Sequence, residues 1–152
     1  MSDYNCRLMH EADLENVIDI VQNAGAFAWS PQNIQESFRS TNDNSFVLCT
    51  TSGNRILGYA VIHTVLDECQ LLNLVIKKQE QGRGLGGSLL RQLIKFVKHQ
   101  NKISFLLEVR ASNALAIKLY EKLGFQRNGV RTAYYKAGKG REDAWLYSLS
   151  LT

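Results

Sequence analysis

Apolar residues recur along this chain with two periods, one helical and one extended. Leu14, Val17, Ile18 and Val21 fall at i, i+3, i+4 and i+7 and predict a helix, with Glu11 and Asp13 placed for its first turn. Ser30-Pro31 opens a second, short helix, with Ser as cap and Pro at the first helical position. Leu89, Leu90, Leu93, Ile94 and Val97 mark the buried face of a third, while Arg91, Lys95 and Lys98 point outward. A fourth runs from about Ser112 to Leu123, with Gly124 in the C′ role. Extended segments are expected at Tyr4 to Met9, Phe46 to Thr50, Ile56 to Val65, Cys69 to Ile76, Ile103 to Val109, Val130 to Tyr135 and Ala144 to Leu151. In the last of these, Trp145, Tyr147, Leu149 and Leu151 alternate onto one face. Ser52-Gly53-Asn54 reads as a turn, and Asp67-Glu68 joins two strands as a hairpin.

The order β, α, α, β, β, β, α, β, α, β, β predicts an α/β sheet of mixed direction with helices on both faces. The chain has 152 residues, enough for one domain with a real core. It shows no repeat and no linker, so residues 1–152 read as a single domain. No apolar stretch is long enough to span a bilayer, and the N-terminus lacks signal-peptide features, so no membrane partner and a cytoplasmic location are expected. Cys6, Cys49 and Cys69 are odd in number and far apart, which predicts reduced thiols. His10, His63 and His99 are equally scattered, so no metal is expected. A net charge of +4, without basic runs interleaved with aromatics, gives no reason to expect direct nucleic-acid binding.

The candidate chemistry begins at Gln81-Gly82-Arg83-Gly84-Leu85-Gly86-Gly87, between a strand and a helix. Without Cβ atoms, successive N–H groups can converge on an anion such as a pyrophosphate, and the following helix adds its positive dipole end. A sharp turn is the plainer alternative. The stretch is no Walker A loop, since no Gly-Lys-Ser/Thr follows, nor is the preceding strand the first of the chain. Glu108 sits in an otherwise apolar strand. Such a carboxylate is either paired with a neighbour such as Arg110 or Lys136, or serves as a general base. Tyr120 shares an apolar helix face with Ile117 and Leu123, so it is a core residue or a general acid. Asn113 is an ordinary helix-start residue, and Leu74, Val75 and Ile76 are core by periodicity. Arg141-Glu142-Asp143 reads as a solvated loop.

Gln81, Gly84 and Gly86 match a Q/R-x-x-G-x-G/A signature, and here the sequence resembles the GCN5-related N-acetyltransferase (GNAT) superfamily. Ala26-Phe27-Ala28-Trp29-Ser30, Val65-Leu66-Asp67-Glu68, Leu107-Glu108-Val109-Arg110-Ala111-Ser112-Asn113 and Gly140-Arg141-Glu142-Asp143-Ala144 further resemble bacterial ribosomal-protein-alanine N-acetyltransferases. The resemblance covers nearly the whole chain. It implies a GNAT fold, with a splayed mixed sheet of about seven strands, and acetyl-CoA as co-substrate. It implies that Gln81, Gly82, Arg83, Gly84, Leu85, Gly86 and Gly87 hold the pyrophosphate. The backbone of Leu74, Val75 and Ile76 would hold the pantetheine arm, and Asn113 would hydrogen-bond the cofactor. Glu108 would accept the amine proton and Tyr120 would protonate the leaving thiolate. Trp29, Tyr135 and Arg141 would frame a peptide groove. The implied acceptor is the N-terminal alanine of a small-subunit ribosomal protein, attacked directly, since no cysteine is paired with a base. A small amine, a polyamine, a lysine side chain, or a non-catalytic acyl-CoA sensor remain the alternatives. A monomer or weak dimer is expected. Lys77-Lys78-Gln79-Glu80 departs from the Asp-Pro-x-Tyr/Phe common in the family.

Overall fold

A computed structural model describes residues 3–25, 28–52 and 55–152. Ala26 and Phe27 of the resembling segment, and Gly53-Asn54 of the expected turn, lie outside the described residues.

Strand β1 (Tyr4–Leu8) leads through a single turn at Glu11–Asp13 into helix α1 (Leu14–Gln22). Glu11 and Asp13, expected in the first turn of α1, therefore precede it. Asp13 is held there by its two carboxylate oxygens, which accept from Arg7 at 2.7 and 3.1 Å. Helix α2 (Pro31–Arg39) begins as the sequence predicts: Ser30 Oγ accepts from the Asn33 N–H at 3.1 Å, and Pro31 occupies the first helical position. Three strands then form an antiparallel meander: β2 (Asp43–Thr50), β3 (Ile56–Val65) and β4 (Glu68–Ile76). Helix α3 (Leu85–His99), strand β5 (Ser104–Arg110) and helix α4 (Ala114–Lys122) follow, and the hairpin β6 (Gln126–Ala137) with β7 (Gly140–Ser150) closes the chain. Both hairpin strands are longer than their apolar alternation predicts. Most of β6 is exposed, so burial leaves little pattern on it.

The seven strands form one sheet in the order β1-β2-β3-β4-β5-β7-β6. All neighbours are antiparallel except β4 and β5. Helices α3 and α4 cover one face, where Leu89, Leu90, Leu93, Val97, Phe105 and Tyr147 are buried. Helices α1 and α2 cover the other, over Val47, Tyr59 and Val61. Among the described residues this second core includes none from β5, β6 or β7. Asp43 pins α2 to the sheet: its carboxylate accepts from Ser37 Oγ at 2.7 Å and lies 2.6 Å from His63 Nδ1.

Two irregularities shape the site. Leu72 is an extra residue on β4, between the Val61–Asn73 and Ile62–Leu71 pairs. Such a bulge bends a strand and increases its twist. Strand β4 pairs with β5 only from Glu68 to Leu71, opposite Ser104 to Leu107. Beyond Leu71 the two strands part. On β6, Thr132, Ala133 and Tyr134 together face Asp143 alone.

Candidate active site

The parting of β4 and β5 opens a trough. Its inner part has a volume of about 270 Å3, and its lining includes Trp29, Leu74, Glu108, Asn113, Tyr120 and Tyr135. A second part, about 280 Å3, takes its lining from Leu74, Val75, Ile76, Gln81 and Asn113 among others. Asn73, Leu74 and Asn113 belong to both, so the two adjoin along β4. From Leu72 to Ile76 the side of β4 that would pair with β5 has no partner strand among the described residues. It offers the trough a row of backbone N–H and C=O groups, a ready template for an extended chain.

The glycine loop lies at the far end of this edge. Gly82 and Gly84 have φ of +80° and +78°, a left-handed backbone that residues with a Cβ seldom adopt. Gly84 caps α3, whose first amides have no intrahelical acceptor. Gly87 serves a different need: a Cβ there would sit 3.3 Å from Leu119, so its small size lets α3 pack close to α4, whereas a Cβ on Gly86 would meet Leu119 at an ordinary 3.6 Å. Gln81 Nε2 donates to the Ile76 carbonyl at 2.9 Å and ties the loop back to β4. Arg83 donates to Glu80 at 2.5 Å and to the Tyr4 hydroxyl at 3.0 Å, while Arg55 holds the other Glu80 oxygen at 2.6 Å. That network anchors the loop from outside.

Glu108 stands on the half-buried side of β5, opposite to Phe105, Leu107 and Val109. Its side chain is 23% exposed, and Oε1 accepts from Arg131 Nη1 at 2.9 Å. The sequence suggests Arg110 or Lys136 as ion-pair candidates, and neither takes that role. Arg110 is engaged with the Lys136 carbonyl at 2.9 Å and with Glu142 at 3.3 Å, and its guanidinium lies 4.3 Å from the Tyr135 ring centre. Glu142 in turn accepts from the Ser112 N–H and hydroxyl, at 3.1 and 2.7 Å. These Ser112 bonds, with Arg110 beside them, hold its carboxyl below the usual carboxylate range. The entry to α4 is thereby fastened to β7. There Asn113 Oδ1 caps the helix, accepting from the Ala116 N–H at 3.2 Å, so its capping role and its place in the trough coincide.

Tyr120 packs against the first core with its ring 5.9 Å from that of Phe125. Burial first, then the nearby Tyr135 phenol, push its hydroxyl up to about 12. A phenol so placed stays protonated at neutral pH and is available as a proton donor. Burial likewise raises Tyr135. Trp29 lines the trough from the segment before α2. Arg141 stands apart: it is exposed, lies opposite Lys136 in the hairpin, and does not line the trough. Two contributors escaped the sequence reading. Asn73 is a polar residue in an apolar strand, a signal that was there to find. Arg131 gave none, because its reach to Glu108 depends on the pairing of β6 with β7.

The arrangement combines a carboxylate, a protonated phenol, an unpaired strand edge and an anion-friendly loop. Residues 14–125 match the model of the Acetyltransferase (GNAT) family. The chain is 37% identical over 145 residues to the [ribosomal protein bS18]-alanine N-acetyltransferase of Salmonella typhimurium, covering 95% of this chain and 96% of that protein. The crystal structure of the ribosomal-protein-S18-alanine N-acetyltransferase from Escherichia coli superposes with a TM-score of 0.89 at 36% identity, over 98% of this chain and 94% of that one. A spermidine N-acetyltransferase from Vibrio cholerae, solved in complex with CoA and spermine, shares the fold at a TM-score of 0.85 and 16% identity, over 98% of this chain and 96% of that one. On this match of sequence and fold, the chain belongs to the acetyltransferase (GNAT) family.

Proposed function

We propose that this chain transfers the acetyl group of acetyl-CoA to the N-terminal alanine of ribosomal protein bS18, acting in the cytoplasm. The observation that carries the chemistry is the convergence of Glu108 and Tyr120 on the trough opened along the unpaired edge of β4. The acceptor is supported by likeness to the Salmonella typhimurium enzyme over almost the whole chain.

The residues suit the co-substrate. The loop from Gln81 to Gly87, with α3 behind it, presents amides to a pyrophosphate. The edge from Leu74 to Ile76 accepts the amides of the pantetheine arm as a strand would accept a neighbour. Asn113 reaches the same trough. Acetyl-CoA supplies the acetyl group as a thioester. Glu108 takes the proton of the acceptor ammonium, directly or through a water, and frees the amine to attack. Tyr120 gives its proton to the departing sulfur. Backbone amides of β4 polarise the carbonyl under attack. Trp29 and Tyr135 frame the acceptor peptide.

Glu108→Gln and Tyr120→Phe test this assignment on a peptide beginning with alanine. Each is expected to cut turnover about 100-fold or more while CoA binding survives in calorimetry. Full turnover in both variants would sink it.

A further inference from the structure

The steps above leave the partner of Glu108 without a role. Arg131 Nη1 holds Glu108 Oε1 at 2.9 Å from a side chain that is 48% exposed. Among the described residues, Arg131 is the hydrogen-bond partner of that carboxylate. The contact uses one oxygen, and among the described residues no hydrogen bond engages Oε2.

Arg131 reaches Glu108 across β7. It pairs with Ala144, whereas Glu108 pairs with Leu146 from the other side of the same strand. The guanidinium is braced as it crosses. It lies 4.0 Å from the ring centre of Tyr134, a contact favoured by the negative face of the ring. Tyr134 is brought there by the wide bulge of β6. Ala133 takes a left-handed φ of +52°, and its N–H is held by Asp143 Oδ1 at 2.9 Å. A left-handed alanine is uncommon and needs such an anchor. The bulge, the stacked ring and the guanidinium together form a support aimed at one carboxylate oxygen.

We infer that Arg131 is a positioning residue for the proton acceptor: it fixes Glu108 Oε1 and turns Oε2 toward the proton to be received. This rests on the reading of Glu108 as the base. A carboxylate held by one oxygen keeps its second oxygen at a fixed angle, which is what proton transfer needs.

The test is kcat and KM, measured separately, for the wild type, Arg131→Gln, Arg131→Lys, Glu108→Gln and the Arg131→Gln/Glu108→Gln double variant. Arg131→Gln is expected to lower kcat about tenfold through loss of alignment. KM for the peptide should change less than about twofold, and Arg131→Lys, which keeps a donor in reach of Oε1, should restore part of kcat. In the Glu108→Gln background, Arg131→Gln should cost less than about twofold, because the two residues act as a unit. A loss confined to KM, no recovery in Arg131→Lys, or a loss that multiplies with that of Glu108→Gln would overturn the inference and leave the reading of Glu108 intact. Wild-type turnover in Glu108→Gln would overturn both.

Discussion

The two halves of the sheet are built on different terms. Strands β2 and β3 carry long runs of buried residues, clamped between α1 and α2 on one face and α3 on the other. Strand β6 is exposed along almost its whole length, and no helix covers the second face of β5, β6 and β7 among the described residues. The first half supplies most of the core. The second supplies Glu108, Arg131 and Tyr135. The residues proposed for the chemistry thus come mainly from the open half, with Tyr120, packed against the first core, as the exception. That separation lets polar, half-exposed side chains be held in place without desolvating charges inside a core, which would be costly.

Four measurements would break or sharpen this contrast. The largest effect is expected in the covered half. Leu89 is fully buried, so Leu89→Ala should cost about 2–5 kcal/mol in urea unfolding while the molecules that remain folded keep their kcat. Gly58→Ala comes next. Its new Cβ would sit 2.8 Å from Ile76 Cδ1 and 3.2 Å from the Val75 carbonyl oxygen, an overpacking expected to cost about 1–3 kcal/mol. Because both contacts are on β4, CoA affinity should fall as well.

The third measurement uses alkali. Burial pushes the Tyr120 and Tyr147 hydroxyls up to about 12 and raises Tyr59 beyond that. The folded state therefore disfavours their phenolates more than the unfolded chain does. Their contribution is complete below about pH 10, the ordinary tyrosine value, and is lost as pH rises toward 12. The urea midpoint should fall steadily across that window, and a flat midpoint would refute it. The smallest effect is expected on the open half. Val130 is 46% exposed on β6, and Val130→Ala should stay within about 0.5 kcal/mol of wild type. A cost comparable to that of Leu89→Ala would erase the contrast.

The same contrast explains what could be read from the sequence. In the covered half, burial writes a strong pattern, and the helix face of Leu89, Leu90, Leu93 and Val97 and the limits of β3 are found where periodicity puts them. On the open hairpin the pattern fades, and β6 begins at Gln126, well before the apolar stretch that signals it. The site follows the same rule. Glu108 and Tyr120 are legible because each is an anomaly in an apolar setting, and both line the trough. The pairing of Glu108 with Arg131 was not legible, since it depends on strand register and a bulge rather than on local composition. Arg141, expected beside the acceptor, is exposed outside the trough lining, because a charged triplet carries no information about which of its members faces inward.

The bulge at Leu72 also bears on how the sheet meets other chains. By bending β4 away from β5, it leaves an unsatisfied sheet edge in the middle of the protein rather than at its rim. Edges of that kind invite other proteins to add a strand, the first step of aggregation. Here the edge lies at the bottom of a trough walled by α4 and the residues before α2. A strand arriving with its own sheet neighbours is too broad to enter, whereas a single slender chain of amides is not. A recessed edge of this kind favours one extended chain over the edge of a second sheet.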